Sequence, residues 1–180
     1  MNQSMQNARQ LQEVNVLPEN VYHSYLGEYY LGQTDIITFG GGYNAWGALV
    51  NPIGSKVNMF LNAYTITNFS NVPLTAEGWL STKLPGRREK SPYFAAGNQA
   101  IFPPPMPKVE ILNASFVSGS PSSGTYTFVR RVEPSETLTK HDFQGMYIIP
   151  PESSFSLFFL SPGNWQVHAR VAFGWWEEKV

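Results

Sequence analysis

Short alternations of apolar and polar residues run along most of the chain after residue 29, and they predict β-strands. The longest early run spans residues 57–68, where every second side chain is expected to share a face of the strand. One predicted face holds Val57, Met59, Leu61 and Ala63, and the other holds Asn58, Phe60, Asn62 and Tyr64. Because aromatic residues occur on the second face as well, we expect both faces to be covered.

The final run, residues 165–176, has the most regular alternation in the chain. Its predicted core face comprises Trp165, Val167, Ala169, Val171, Phe173 and Trp175. Strict alternation then places Trp176 on the opposite face, next to Glu177 and Glu178. We therefore expect Trp176 to be exposed and to form part of a contact surface.

Ten such runs are separated by turn residues such as Gly40-Gly41-Gly42 and Asn51-Pro52. The predicted strands are residues 29–31, 36–39, 46–50, 57–68, 76–80, 109–117, 126–132, 146–149, 154–160 and 165–176. The interval 91–107, with its three consecutive prolines, is excluded as a central strand because proline lacks the ladder donor. No segment of a dozen residues has a helical period with caps. The pattern predicts an all-β domain, a single jelly roll or antiparallel β-sandwich.

The N-terminal segment differs from the rest of the chain. Residues 1–13 are rich in Gln and Asn, and their apolar residues form no amphipathic stripe. We interpret residues 1–20 as an N-terminal extension and residues 21–180 as the sandwich domain. Leu11, Val14, Val16 and Leu17 are the apolar side chains with which this arm is expected to contact a neighbouring subunit.

Composition narrows the classes of function. Charged residues make up only 14% of the chain and the net charge is −1, so a nucleic-acid partner is not expected. A surface poor in charge has little self-repulsion, which favours self-association. There is no cysteine, and no apolar stretch approaches the length of a membrane span or a secretory signal. We expect a protein that reaches its location without a classical signal peptide.

Known catalytic and cofactor patterns are not found in the sequence. His23, His141 and His168 are not spaced as a metal-binding pair, and no G-x-S-x-G elbow or phosphate-binding loop occurs. His168 is interpreted as an ordinary surface histidine. The sequence therefore predicts no enzyme activity, no cofactor and no metal ligand.

Three blocks give the sequence a family resemblance: residues 43–52, residues 65–70 and the ending at residues 169–178. Across residues 29–178 the chain resembles a small uncharacterised family of spore-forming bacteria, which has no established catalytic residues to carry over. More loosely, a jelly roll with a polar arm is similar in plan to endospore-appendage subunits. The absence of cysteine departs from the disulfide-linked members of that group, so the resemblance implies assembly without covalent cross-links.

The leading hypothesis is a non-enzymatic structural subunit that associates with itself. Copies would form a helical or head-to-tail polymer, as an extracellular filament or a spore-surface appendage, through the arm and Trp176. A phage or virion structural protein is the closest alternative. A carbohydrate-binding module, in which exposed aromatic residues stack on a glycan, is the alternative from a different class.

Overall fold

The computed structural model describes residues 16–141 and 143–180. These residues form thirteen β-strands and one short helix, α1 (Glu19–Leu26). The strands are β1 (Tyr29–Gln33), β2 (Ile37–Gly40), β3 (Asn44–Asn51), β4 (Val57–Asn68), β5 (Leu74–Leu80), β6 (Glu89–Lys90), β7 (Phe94–Ala96), β8 (Glu110–Val117), β9 (Thr125–Val132), β10 (Thr137–Lys140), β11 (Tyr147–Ile149), β12 (Ser153–Leu160) and β13 (Gln166–Lys179).

The strands form two antiparallel sheets that pack face to face. Sheet A has seven strands in the order β10-β4-β13-β1-β7, with β11 also paired to β4 and β2 also paired to β13. Sheet B has six strands in the order β6-β8-β3-β12-β5-β9. The predicted all-β sandwich is confirmed, and each of the ten predicted runs coincides with most of one strand.

The proline-rich interval also behaves as the sequence predicts. Within residues 91–107 the only strand is β7, three residues long, which pairs with β1 at the edge of sheet A. The three prolines at 103–105 lie outside any strand. The backbone N–H groups that these prolines lack are therefore not needed for hydrogen bonds between strands.

The face assignment of β4 is wrong beyond Asn62. The register between β4 and β13 shifts at this point, because Leu61 lies opposite Trp175 and Ala63 lies opposite Gly174. Asn62 is thus the extra residue of a β-bulge, and the residues after it change face. As a result Tyr64, at 1% exposure, joins the core, while Ala63 turns outward.

The main core lies between the sheets. From sheet A it receives the inward residues of β4 and β13, and from sheet B those of β3, β5 and β12. A second, smaller cluster lies on the outer face of sheet B, where Leu84 covers Trp46, Leu112 and Phe158. The fold therefore buries apolar surface in two separate layers.

Helix α1 was not predicted, because it has only eight residues and a helical period was sought over segments of a dozen residues. Its signals are nevertheless present: Pro18 precedes the first turn, Glu19 lies within that turn, and Gly27 follows the last residue. The helix also lies across the predicted boundary between residues 20 and 21. That division into extension and domain stays a prediction.

Two expectations about tryptophan exposure are wrong. Trp165 was assigned to the core face, but it lies before the start of β13 and is 66% exposed. Trp176 was expected to be exposed, and it is 2% exposed. Alternation correctly places Trp176 on the outer face of sheet A, but α1 packs over that part of the sheet and covers the ring.

Across the described ranges, 16–141 and 143–180, no helix is both long enough and apolar enough to cross a membrane.

Candidate functional site

The C-terminal turn of α1 brings a carboxylate back against the helix. Gly27 adopts a left-handed conformation (φ 79°), and its backbone N–H donates to the carbonyl of Ser24. The next N–H, of Glu28, donates to the carbonyl of His23 at 2.8 Å. These two bonds form a Schellman turn. The turn places the Glu28 side chain beside His23, five residues earlier in the sequence.

His23 is the centre of a cluster of three carboxylates. Its side chain is only 6% exposed, and its Nδ1 lies 2.9 Å from Glu28 Oε2. Its Nε2 lies 3.3 Å from Glu19 Oε1, one helical turn away, and 3.2 Å from Glu178 Oε1 at the end of β13. Glu19, His23 and Glu178 bring their donor atoms within 4.8 Å of one another. We call these residues and Glu28 the His23 cluster.

The imidazole of His23 is part of a stack of aromatic rings. The His23 ring lies nearly parallel to Trp176, with centroids 5.2 Å apart, and Trp176 stacks in turn on Phe60 at 5.3 Å. The indole N–H of Trp176 donates to Glu178 Oε1 at 3.0 Å. Gly145 packs against the six-membered ring of the indole, where a Cβ would overlap the ring. The stack therefore fixes both the ring and one of the carboxylates around it.

A second carboxylate near the end of β13 has a structural role. Glu177 is 6% exposed and accepts hydrogen bonds from the backbone N–H groups of Lys108 and Val109 and from the indole N–H of Trp175. These bonds attach the chain that follows the prolines to the end of the sandwich. Burial, together with the charges of Glu177 and Glu28, raises the pKa of Tyr30 to about 12.

Exposed apolar side chains are concentrated beside α1. The loop at residues 97–106 lies against the helix, since Asn98 Nδ2 donates to the Tyr25 carbonyl and a Cβ at Gly27 would lie 2.6 Å from Ile101 Cδ1. We call five of the exposed apolar residues of the helix, the residues just before it and the loop the helix-end patch. It comprises Leu17, Val21, Tyr25, Phe102 and Met106, whose exposed fractions are 50%, 46%, 74%, 93% and 64%.

A second group of exposed aromatic residues lies on the loops that precede β3 and β13 and at the end of β8. Tyr43 and Phe116 meet edge to face at 6.3 Å. Trp165 is close to them, because the Gly42 N–H donates to the Gly163 carbonyl in the loop that ends at Trp165. We call Tyr43, Phe116 and Trp165 the aromatic-end patch.

The register of β13 places the two patches at opposite ends of the molecule. Gln166, next to Trp165, pairs with Gly40, whereas Trp176, under α1, pairs with Tyr29. Ten residues of extended strand separate these positions, which corresponds to roughly 33 Å. The sandwich therefore carries an apolar surface at each end of its longest strand.

Sheet B carries a cleft of about 770 Å³ on its outer face, beside the loop at residues 81–88. Its polar lining includes Ser81, Lys83, Arg88, Glu110 and Glu152. Glu110 pairs with Lys90 at 2.7 Å, and Ser81 is hydrogen-bonded to Ser153. Trp46 also lines the cleft, but at 2% exposure it offers no ring face for a ligand to stack on.

Residues 2–180 match the family described as "Family of unknown function (DUF6143)". The chain belongs to this family. No curated protein sequence and no solved structure matches the chain. The family assignment agrees with the resemblance to an uncharacterised family, and it assigns no reaction or ligand to the DUF6143 fold.

The structure separates the residues that were predicted to form an interface. Val16, at 87% exposure, and Leu17, which belongs to the helix-end patch, lie just before α1. Trp176 is buried in the His23 cluster and offers a neighbouring subunit no surface. Leu11 and Val14 lie outside the described residues.

Sequence reasoning missed both the His23 cluster and the aromatic-end patch. A search for metal ligands by spacing finds pairs of histidines, whereas this cluster combines one histidine with acids from the two ends of the sequence. A local signal for part of it exists, since Glu19 and His23 are four residues apart and share one face of a helix. His168 is an exposed histidine bonded to Thr38 Oγ1, as predicted for a surface residue.

Proposed function

We propose that this protein is a non-enzymatic structural subunit whose copies associate head to tail, the helix-end patch of one copy against the aromatic-end patch of the next. The observation that carries this proposal is the presence of an exposed apolar surface at each end of β13. Two different surfaces at opposite ends form a contact that does not close on itself, and such contacts produce a polymer.

The properties of the two patches suit a protein contact. Exposed apolar side chains that cluster, rather than occur singly, are typical of interaction surfaces. Tyr, Trp, Phe and Met are also the residues enriched at the centres of interfaces. Low overall charge leaves little repulsion between copies.

The N-terminal arm extends this proposal. Val16 and Leu17, the last apolar residues of the predicted arm, are exposed beside α1 at the helix-end patch. We propose that residues 1–18 of one copy lie along its neighbour. Strand β9 is a candidate acceptor, because among the described residues it pairs only with β5 and forms an edge of sheet B.

Sedimentation and negative-stain electron microscopy over a range of concentrations test the proposal. The full chain is expected to form filaments or large oligomers, and both Tyr25→Ser and Trp165→Ser are expected to reduce them to small species. Ile36→Ser serves as the matched control, because Ile36 is 52% exposed but lies beside the middle of β13. A full chain that stays monomeric at every concentration would contradict the proposal.

Mixing the two variants tests the head-to-tail arrangement. Each variant keeps one intact patch, and the intact patches are complementary, so an equimolar mixture is expected to form heterodimers that neither variant forms alone. Association of either variant with itself through its remaining patch would instead indicate a symmetric contact between like surfaces. Deletion of residues 2–15 in the full chain then shows whether the arm adds to the contact.

A glycan-binding module is the second candidate function, and the exposure of Trp165 favours it. A tryptophan that is 66% exposed beside Tyr43 can stack on the apolar face of a sugar ring. Under this alternative the protein stays monomeric and binds members of a glycan array, and Trp165→Ala abolishes the binding. Trp176→Ala is not a test of it, because Trp176 is buried.

The biological setting is part of the first proposal. Resemblance to endospore-appendage subunits supports an extracellular filament or a spore-surface appendage as the polymer. Immunogold labelling of spores and vegetative cells from a bacterium that carries the gene distinguishes this location from a virion component.

A further inference from the structure

The two ring nitrogens of His23 cannot both be satisfied in a neutral imidazole. A neutral ring has one N–H donor and one lone pair. With the proton on Nδ1, the ring donates to Glu28, but the Nε2 lone pair then faces carboxylate oxygens of Glu19 and Glu178 at 3.3 and 3.2 Å. With the proton on Nε2, the lone pair of Nδ1 faces Glu28 Oε2 at 2.9 Å. Either tautomer places an acceptor against an acceptor in a side chain that is almost fully buried.

A proton on both nitrogens would relieve this contact, but it would leave the charges unbalanced. Three carboxylates surround one imidazole, so the cluster keeps a net negative charge even when the ring is an imidazolium. In the part of the chain that the structure describes, the only salt bridges made by Lys or Arg are Lys90–Glu110 and Arg131–Glu133, both outside the cluster. A divalent cation at Nε2 would satisfy the lone pair and neutralise more of the charge.

Two of the three distances between donor atoms match those of a bound ion. A tetrahedral site with metal–ligand bonds of about 2.1 Å has ligand atoms about 3.4 Å apart along its edges. The Nε2–oxygen distances of 3.3 and 3.2 Å are close to this value, and the Glu19 and Glu178 oxygens lie within 4.8 Å of each other. Glu28 occupies the position of the carboxylate that commonly accepts the other N–H of a metal-bound histidine and thereby fixes its tautomer.

We propose that Glu19, His23 and Glu178 form a binding site for a divalent transition-metal ion of the Zn²⁺ type, with Glu28 as the residue that orients the imidazole. One imidazole with carboxylates suits Zn²⁺, Co²⁺ or Ni²⁺ better than Mg²⁺ or Ca²⁺, which prefer oxygen ligands throughout. Three protein ligands leave a fourth position. Glu19 is 66% exposed, so that position faces solvent and is open to water.

The proposed ion would join two parts of the fold that are distant in sequence. Glu19 and His23 belong to α1, whereas Glu178 belongs to β13, the central strand of sheet A. A metal that binds all three therefore stabilises the docked position of the helix. This inference does not depend on the proposed function, because it concerns the folded subunit whether or not copies associate.

The test is a titration of the chelator-treated full chain with Zn²⁺, followed by thermal unfolding and by calorimetric binding. At a hundredfold excess of free ion over Kd, the melting temperature is expected to rise by roughly 5–10 °C. Mg²⁺ is expected to have little effect. Co²⁺ provides an independent readout, since a site of low coordination number gives an intense visible d–d absorption, whereas the absorption of hexaaqua Co²⁺ is weak and lies at shorter wavelength.

Matched variants identify the site. Glu19→Gln alters an exposed side chain and is expected to fold, yet to weaken Zn²⁺ binding by at least tenfold. Glu28→Gln is expected to weaken binding by about 10–100-fold, as changes to residues that orient metal ligands commonly do. Glu136→Gln and His168→Gln remove an exposed acid and an exposed histidine elsewhere, and both are expected to bind Zn²⁺ like the unmodified chain.

Two results would overturn the proposal. Absence of stabilisation and of one-to-one Zn²⁺ binding would mean that the carboxylates hold the imidazole in place without a metal ion. Binding that is lost in His168→Gln, or unchanged in both Glu19→Gln and Glu28→Gln, would mean adventitious binding at the surface.

Discussion

Trp46 and Trp176 are equally buried but are covered by different kinds of structure. Each lies on the outer face of its sheet, and each is 2% exposed. Trp46 lies under the loop at residues 81–88, within an apolar cluster, and its indole N–H donates to the Pro85 carbonyl at 2.7 Å. Trp176 lies under α1, between His23 and Phe60, and its indole N–H donates to a carboxylate of the His23 cluster.

This difference shows that two equally buried side chains can be covered by different kinds of interaction. The cover over Trp46 depends on apolar contact and one neutral hydrogen bond, which respond little to salt or to cations. The cover over Trp176 depends on an imidazole among carboxylates, whose interaction changes with ionic strength and with bound ions. We therefore expect the Trp46 cover to be permanent and the Trp176 cover to respond to solution conditions.

Replacement of Trp46 has the largest expected effect. Trp46→Ala leaves a cavity under the 81–88 loop, and such truncations typically lower the free energy of unfolding by about 3–5 kcal/mol. The loss is expected to be the same at low and high salt in urea unfolding experiments. Trp165→Ala, at an exposed tryptophan, is the control and is expected to change stability by less than about 0.5 kcal/mol. A strong salt dependence of the Trp46→Ala loss would contradict the comparison.

Gly145→Ala tests how tightly the Trp176 ring is packed. A Cβ at Gly145 would overlap the Trp176 ring, and its φ of 77° also disfavours alanine. We expect a loss of about 2–4 kcal/mol in thermal unfolding. Gly163→Ala is the matched control, because Gly163 has a similar φ of 82° but nothing within 4 Å of the added carbon. It is expected to lose only about 1–2 kcal/mol, the backbone part of the effect. Equal losses would mean that Trp176 is free to move.

His23→Gln tests the ionic character of that cover. In metal-free buffer the variant leaves three carboxylates close together without the imidazole, and we expect a loss of about 1–2 kcal/mol at low salt. The loss is expected to shrink at high salt, because the repulsion is screened around half-exposed side chains. His168→Gln, at an exposed histidine, should show no such dependence. A loss that is independent of salt would mean that His23 contributes mainly by stacking on Trp176.

Tyr30→Phe has the smallest effect at neutral pH and a larger one in alkali. The pKa of Tyr30 rises from 10.0 to about 12, so the folded state favours the neutral phenol. This contribution to stability is fully present below pH 10 and is lost as the pH rises towards 12. Above pH 10, the free energy of unfolding of Tyr30→Phe is therefore expected to fall less steeply with pH than that of the unmodified chain. Urea unfolding on either side of pH 10 measures this difference. Identical pH profiles for the two proteins would contradict the assignment.

Strand positions were predictable because the signal for each strand is local. Alternation located β4 at residues 57–68 and most of β13, since the faces of a strand are set by a period of two. The bulge at Asn62 was not predictable, because it depends on the pairing with β13 and has no mark in the sequence of β4. The short strands β6, β7 and β10 were also missed. β6 is two charged residues, β7 lies in the proline-rich interval that was excluded as a central strand, and β10 has one apolar residue, Leu138.

The candidate sites were less predictable than the fold because they join residues that are distant in sequence. Burial of Trp176 requires α1, and the His23 cluster requires Glu178 to meet residues near the other end of the described chain. The apolar patches arise from loops whose positions follow from the sheet register. Val16 and Leu17 could be named from the sequence because they are apolar residues beside a polar segment; their role in an interface stays a prediction.

The distance in sequence between α1 and Glu178 also sets an order of events during synthesis. The ribosome makes residues 19–28 early, but their partners on β13 emerge only after some 150 further residues have been added. Helix α1 therefore has no place to dock until β13 has left the ribosome. Its attachment to the outer face of sheet A follows the insertion of the central strand of that sheet, and only then does it close over Trp176.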